Sequence, residues 1–137
     1  MVVYFASSIY NPAQLSNQMQ SAFSDAEVIG CSTAGELVSG EMLKQSIVAM
    51  LFDSEIINDI KVEVVENIST ENHVAEAFQS FETHFHIPMM QMDVSRYTGL
   101  VLFDGLSKAE EKIMETIGDL NSVFFIGGSA GDDLKFQ

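Results

Sequence analysis

The sequence predicts a mixed α+β fold of the α/β class, with about six strands in one mixed β-sheet and helices packed on it. Three observations support this prediction. Short β-branched runs alternate along the chain with segments whose apolar residues recur at helical spacing. Apolar residues make up 47% of the 137 residues, which is enough for the core of one domain. Two of the predicted strands also end in similar glycine-rich motifs, which indicates an internal repeat.

The first predicted unit consists of a strand, a helix and a second strand. Val2–Ala6 is a β-rich run, and Glu27–Gly30 contains the next one. Between them, Asn11 is suited to cap a helix and Pro12 to occupy its first turn. The apolar residues of this helix are Leu15, Met19, Ala22 and Phe23. This order predicts a right-handed β-α-β crossover with parallel strands.

The middle of the chain predicts an antiparallel strand pair and a second helix. Ser46–Asp53 is apolar without alternation, which favours a central strand. Residues 60–64 alternate apolar and charged side chains, so they are predicted to form its antiparallel partner. The helix is predicted to begin at Thr70 or Asn72. Its apolar stripe consists of Val74, Phe78, Phe81 and Phe85.

A second β-α-β unit follows. Gly99–Asp104 is the fifth predicted strand, and Ser122–Ile126 is the last. Ser107 and Glu110 have the spacing of a capping box, which predicts the start of a third helix. The apolar residues of this helix are Ile113, Ile117 and Leu120. The two units are therefore predicted to repeat one β-α-β-glycine-loop pattern on either side of the antiparallel pair.

The first glycine-rich motif, Gly30 to Glu36, has the composition of a loop that binds a small ligand. Gly30 and Gly35 permit positive φ and the close approach of a ligand. Ser32 and Thr33 supply hydroxyl donors, and successive backbone N–H groups can hold an anion such as a carboxylate. The alternative is a tight turn whose hydroxyls bond their own backbone.

The second motif, Gly127 to Asp132, is open to the same two interpretations. Its predicted ligand-binding residues are Gly127, Ser129 and Gly131. Asp104 ends the fifth predicted strand, where ligands gather on parallel sheets, and is predicted to take a cationic group. Assistance from Asp132 and Asp133 is expected in that case. A turn aspartate and a solvated acidic pair are the alternative.

The segment Gly127–Gly131 also fits the G-x-S-x-G pattern of the α/β-hydrolase nucleophile elbow, with Ser129 as nucleophile. That arrangement needs a histidine after the serine in chain order. All three histidines precede it here; they are His73, His84 and His86. A serine hydrolase is therefore kept as an alternative, and no catalytic residue is predicted.

Metal and thiol chemistry are weakly indicated. No pattern with the ligand spacing of a zinc or calcium site occurs in the sequence, so no metal ligand or cofactor is predicted. One histidine with nearby Phe and Met residues keeps haem open as an alternative. Cys31 has no adjacent base or cation in the sequence, so an inert, buried thiol is predicted.

Charge limits the partners of the chain. Twenty Asp and Glu against six Lys and Arg give a net charge of -14. A negative surface repels phosphate backbones and anionic lipid, so nucleic-acid and membrane roles are not expected. The single cysteine excludes an internal disulfide, and no signal peptide or membrane-length apolar run is present. A cytoplasmic location is expected.

The motifs resemble those of a known family. Val28–Glu36, read as V-I-G-C-S-T-A-G-E, resembles the signature of the FIST domain, a sensory input domain of signalling proteins. Val2–Ser7 is similar to the opening strand of that family, and Ile126–Asp133 to its second glycine-rich motif. The resemblance covers nearly the whole chain.

The resemblance implies sensing rather than catalysis. FIST domains occur with histidine kinases, cyclic-di-GMP enzymes and chemoreceptors, and amino acids are among the ligands proposed for them. Some relatives are described as haem-based nitric oxide sensors. Because the family pairs this domain with a C-terminal FIST domain, residues 1–137 are expected to be a single, incomplete N-terminal-type domain from a larger protein.

We therefore expect a non-catalytic sensory domain of a bacterial signalling system that binds a small ligand such as an amino acid. A serine hydrolase and a haem-based gas sensor are two alternatives. The third is a protein-interaction module that uses Met89, Met90 and Met92 as an adaptable contact surface.

Overall fold

The computed structural model describes residues 1–66, 71–107 and 109–131. Within them, seven strands and three α-helices form a mixed α+β fold, which confirms the predicted class. The strands are β1 (Val2–Ser7), β2 (Val28–Thr33), β3 (Glu36–Val38), β4 (Glu41–Leu43), β5 (Ile47–Leu51), β6 (Thr98–Phe103) and β7 (Phe124–Ser129). The helices are α1 (Pro12–Ala22), α2 (Glu71–Phe85) and α3 (Glu110–Leu120), with a short 3₁₀ helix at Met89–Gln91.

The described chain divides into two compact units. Unit 1 comprises Met1–Ile60 together with the described residues from Ser129 onward, and unit 2 comprises Lys61–Gly128. The described strands form three small sheets, in the orders β2-β1-β5, β3-β4 and β6-β7, rather than one sheet of about six strands. The first two sheets belong to unit 1 and the β6-β7 sheet lies mainly in unit 2, and each unit has an apolar core of its own.

The three-stranded sheet of unit 1 is built around β1. β1 and β2 are parallel, with Val2 opposite Val28 and Ser7 opposite Thr33, which confirms the parallel strands of the first crossover. α1 packs on this sheet through Leu15, which joins Tyr4 and Ala6 in a buried cluster. The helix begins where the sequence predicts, because the side chain of Asn11 accepts a hydrogen bond of 2.9 Å from the backbone N–H of Gln14.

The predicted central position of Ser46–Asp53 is wrong. The strand in this segment, β5, lies at the edge of the sheet, antiparallel to β1. Several of its side chains are exposed, so the unbroken apolar run does not mark burial on both faces. Its predicted partner at residues 60–64 is also wrong, because no strand is assigned there and Val64 is 83% exposed.

A short hairpin separates β2 from β5. β3 and β4 pair antiparallel, with Leu37 opposite Met42. Gly40 lies in the turn between them at φ +84°, a conformation that glycine adopts without steric cost. This hairpin has no clear signal in the sequence, because its two strands have only three residues each.

Unit 2 packs α2 and α3 on the β6-β7 sheet. Its core is a cluster of buried residues from α2, β6, α3 and the segment around the 3₁₀ helix. These residues are Val74, Phe78, Met89, Met92, Phe103, Ile113 and Ile117. The Phe78 ring stacks on that of Phe125 at a centroid distance of 5.9 Å. The predicted stripes of α2 and α3 therefore face the core, except that Leu120 at the end of α3 is exposed.

Two further predictions in unit 2 are wrong. The N-cap of α3 is Ala109, which makes no side-chain capping bond, so Ser107 and Glu110 do not form a capping box. The Ser107 hydroxyl instead accepts a hydrogen bond of 3.4 Å from the N–H of Ala109. Met89 and Met92 are buried in the core, which leaves only Met90 of the proposed methionine surface exposed.

Candidate functional site

The first glycine-rich motif is largely strand rather than loop. Gly30 to Thr33 belong to β2, where Gly30 lies opposite Tyr4 and Ser32 opposite Ala6 of β1. A Cβ atom on Gly30 would lie 2.6 Å from the Tyr4 ring, so this glycine makes room for an aromatic side chain. Gly40 is the only described glycine with positive φ, so that conformation, expected for Gly30 and Gly35, is not adopted.

The end of the motif turns into β3 around a buried carboxylate. Glu36 is 2% exposed, and its Oε1 and Oε2 accept hydrogen bonds from the hydroxyls of Thr33 and Ser46. Gly35 passes the hairpin closely, because a Cβ there would lie 3.4 Å from the carbonyl oxygen of Leu43. The sequence motif ends at Glu36, but one hydrogen bond to its buried carboxylate comes from Ser46, ten residues further along the chain.

The second motif lies mainly on β7. Gly127, Gly128 and Ser129 are strand residues, and the Ser129 side chain is exposed. A Cβ on Gly127 would lie 1.7 Å from the Val101 carbonyl oxygen, so the backbone of β7 approaches that of β6 closely at this point. The equivalent space at Gly128 is open. Gly127 therefore has a packing role in unit 2.

Within unit 1, the chain that leaves β7 meets the first motif. The backbone N–H of Gly131 donates a hydrogen bond of 2.9 Å to the carbonyl oxygen of Ser32. A Cβ on Gly131 would lie 3.0 Å from the backbone nitrogen of Ala34, which leaves little space for a larger residue. The structure therefore brings Ser32, Thr33 and Gly131 together, as parts of two motifs with similar sequences.

Asp104 lies in unit 2, one residue after β6. Its Oδ1 accepts a hydrogen bond of 3.0 Å from the N–H of Leu106, and its carbonyl oxygen accepts one of 3.0 Å from the N–H of Ser107. The first of these bonds closes an Asx turn and the second closes a β-turn. Asp132 and Asp133 lie outside the described residues.

Comparison with known protein families gives a match over the whole chain. The model of the FIST N domain matches residues 1–137. The chain belongs to the FIST N domain family. This family is a sensory domain of signal-transduction proteins, so the signalling context implied by the two motifs is confirmed. No curated protein and no solved structure gives a significant match to this FIST N domain.

The thiol of the FIST N domain lies on β2, between Gly30 and Ser32. Cys31 is half-buried, and this burial raises the pKa of its thiol. A raised pKa keeps the sulfur protonated at neutral pH, and the protonated thiol is a poor nucleophile. This environment agrees with the predicted inert thiol.

The histidines of the FIST N domain lie in unit 2, where two of them, His73 and His84, line open grooves. A groove of about 500 Å³ is lined by polar side chains, namely Lys61, Glu76, Gln79, Ser80, Thr83 and His84. A neighbouring groove of about 390 Å³ is lined by residues that include His73 and Glu63. His73 lies 3.4 Å from the Glu76 carboxylate. The second groove also has Val64, Val65 and Ala77 in its lining, and haem binding stays an untested alternative prediction.

Glu63 also belongs to this polar surface. Its carboxylate accepts a hydrogen bond from the Ser80 hydroxyl and lies 2.9 Å from the Lys61 ammonium. The Ser80 bond, with a smaller contribution from Lys61, lowers the pKa of Glu63.

Among the residues that the structure describes, no group of three or more potential metal ligands is present. No helix in the same residues is long and apolar enough to cross a bilayer.

Proposed function

We propose that this FIST N domain is a non-catalytic sensory module that binds a small polar metabolite, with amino acids as the expected class. The proposed site lies in unit 1, where β2 ends beside Gly131. The hydrogen bond from Gly131 to Ser32 carries the proposal, because it brings the two glycine-rich motifs to one strand end. Ligands of α/β proteins commonly bind at such strand ends.

The hydroxyl groups of the two motifs are the proposed contacts. Ser32 and Ser129 are exposed, and Thr33, which follows Ser32, is half-buried. Gly35 and Gly131 have no side chain beside these hydroxyls, whereas the space at Gly30 is filled by the Tyr4 ring, so a ligand role of Gly30 stays a sequence prediction. The ligand roles of Asp104 and Gly127, which belong to unit 2, stay sequence predictions.

Two observations support binding rather than catalysis. Unit 1 has no histidine among its described residues, so the general base that Ser129 would need is not supplied by this unit. Burial raises the pKa of Cys31, which disfavours its thiolate. We further propose that the ligand shifts a conformational equilibrium that a signalling partner reads, such as a histidine kinase, a cyclic-di-GMP enzyme or a chemoreceptor. The cytoplasmic location stays a prediction.

A thermal-shift panel of the twenty proteinogenic amino acids tests this function. A ligand at one hundred times its Kd is expected to stabilise the domain by about 2.7 kcal/mol. The Ser32→Ala variant is expected to lose this shift. Ser39→Ala removes an exposed hydroxyl from the hairpin turn and serves as the matched control.

Two results would contradict the proposal. One is a panel in which no amino acid raises the melting temperature. The other is a shift that Ser32→Ala and Ser39→Ala retain equally, which would place the ligand elsewhere. An absorbance scan of the purified protein addresses the haem alternative, because bound haem would give a Soret band.

A further inference from the structure

The outer side of β5 is an open sheet edge with an apolar sequence. Within the described residues, β5 pairs only with β1, and the segment Ser46–Phe52 contains no charged residue and no proline. Met50 and Leu51 are 57% and 59% exposed, although neighbouring strand residues point to opposite faces of the sheet. Proteins usually protect such an edge with lysine, proline or a bulge, because an unprotected edge pairs readily with another strand.

The hydrogen bonds to β1 show which backbone groups of β5 face the open side. The N–H of Phe52 donates to the carbonyl oxygen of Met1 over 2.9 Å. At the other end of the strand, the N–H of Ser7 donates to the carbonyl oxygen of Ser46 over 3.0 Å. In an antiparallel ladder, the even-numbered residues of β5 therefore bond β1, and the odd-numbered residues direct their N–H and C=O groups outward. These outward residues are Ile47, Ala49 and Leu51.

A second copy of β5 fits this edge in the antiparallel direction. When the two strands overlap fully, Ile47 lies opposite Leu51 of the second copy, and Ala49 lies opposite Ala49. Every outward residue then belongs to a hydrogen-bonded pair, which exchanges two bonds. A shift of one residue would instead set each outward residue opposite one whose groups already bond β1. The exposed side chains of Ile47 and Leu51 become cross-strand neighbours in this register, which stabilises the pairing.

The charges that flank β5 favour the same arrangement. Lys44, the one basic residue among residues 1–60, precedes β5, whereas Asp53 and Glu55 follow it. All three side chains are exposed. Full antiparallel overlap brings Lys44 to the two carboxylates of the second copy, and the same contact recurs at the other end of the interface. A parallel arrangement would place like charges together at both ends.

We infer that β5 is the interface of a symmetric dimer, in which two copies of this FIST N domain join their three-stranded sheets edge to edge. Two-fold pairing uses the open side of β5 in both copies, so the assembly closes at two chains. At the other edge of the sheet, the carbonyl oxygen of Ser32 already accepts the N–H of Gly131. The inference is independent of the proposed ligand site, which lies on β2 rather than β5.

Analytical ultracentrifugation of the 137-residue chain tests this interface. A species of twice the chain mass of 15.1 kDa is expected to grow with concentration. The net charge of -14 on each copy opposes association, so a weak dimer with a Kd of about 100 µM or below is expected. Ala49→Pro removes an outward N–H without removing a bond to β1, and is expected to leave the chain monomeric. Circular dichroism of the same samples checks that the variant is folded.

A lysine variant covers the case in which Ala49→Pro fails to fold. Leu51→Lys changes an exposed side chain and is expected to raise the dimer Kd about tenfold or more, because an edge lysine disfavours strand addition. Leu106→Lys makes the same substitution at an exposed turn of unit 2 and is the matched control. It is expected to change the Kd less than about twofold.

A charge exchange tests the antiparallel register. Lys44→Glu places an acidic side chain beside Asp53 and Glu55 of the second copy, and is expected to raise the Kd about fivefold. Adding Glu55→Lys to this variant restores opposite charges and the net charge of the parent chain. The double variant is therefore expected to regain the parent Kd within about twofold.

Four outcomes would overturn the inference. One is a chain that stays monomeric at about 500 µM, well above the expected Kd. The second is a dimer that Ala49→Pro and Leu51→Lys leave unchanged, which would place the interface elsewhere. The third is growth into larger assemblies, which would contradict closure at two chains. The last is a Kd that Lys44→Glu does not alter. The amino-acid panel is a separate measurement, so failure of the dimer and failure of the proposed function are distinguishable.

Discussion

Gly127→Ala is expected to destabilise unit 2 strongly, because a Cβ at this position meets the backbone of the neighbouring strand. The atom would lie 1.7 Å from the carbonyl oxygen of Val101 and 2.7 Å from its carbonyl carbon. Ordinary contact begins at 3.4 Å, so the two backbones would have to separate by about 1.7 Å. Such a shift exceeds the tolerance of an interstrand hydrogen bond.

The expected cost follows from the bonds that the shift would break. Losing about two ladder hydrogen bonds costs ~1 kcal/mol each, and the residual overpacking adds ~1 kcal/mol or more. A free energy of unfolding lower by about 3 kcal/mol corresponds to a melting temperature about 10 °C lower for a chain of this size. Circular dichroism during thermal and urea denaturation measures both quantities.

Gly128→Ala is the matched control. The same methyl group at the next residue would meet no atom within 4 Å, so a change within about 1 kcal/mol of the parent is expected. Equal stabilities of the Gly127→Ala and Gly128→Ala proteins would refute the close approach of β6 and β7 at Val101.

Three further predictions follow from the packing, the helix cap and the thiol. Phe78→Ala removes a ring that stacks on Phe125 in the core of unit 2, so urea denaturation is expected to show a loss of about 3–5 kcal/mol; a loss below about 1 kcal/mol would contradict its burial. Asn11→Ala removes the bond to the N–H of Gln14 and is expected to cost about 1 kcal/mol by the same assay, whereas Asn11→Asp is expected to retain most of it. Burial raises the pKa of the Cys31 thiol, so iodoacetamide is expected to alkylate the folded protein more slowly than the urea-unfolded chain at the same pH, as measured by mass spectrometry. Equal alkylation rates would contradict the burial of this thiol. The stability linked to the raised pKa is fully present below the pKa of the unfolded state and is lost as the pH rises through the pKa of the folded state.

Local signals predicted the parts of the fold that depend on neighbouring residues. The start of α1 follows from Asn11 and Pro12, whose effects act within one helical turn. The apolar stripe of α2 follows from the spacing of its side chains, and Phe78 of that stripe is buried. The edge position of β5 was not predictable, because it depends on which strand pairs with β1.

The candidate site was only partly predictable for the same reason. The composition of Gly30 to Glu36 indicates a loop, but the pairing of β2 with β1 makes most of this segment a strand. The space that Gly30 provides is filled by Tyr4, which is distant in sequence. The burial of Glu36 depends on a hydroxyl from Ser46. Each of these contacts depends on the tertiary structure and leaves no periodic signal in the chain.

Unit 1 is formed by two separate segments of the chain, and this affects the order in which the two units fold during synthesis on the ribosome. In chain order, residues 61–128 of unit 2 separate the two segments of unit 1, so the nascent chain completes unit 2 before Gly131 emerges. Until then, the carbonyl of Ser32 has not received the N–H that Gly131 donates to it. Co-translational folding is therefore expected to finish unit 2 first and to close unit 1 only after its last segment leaves the exit tunnel.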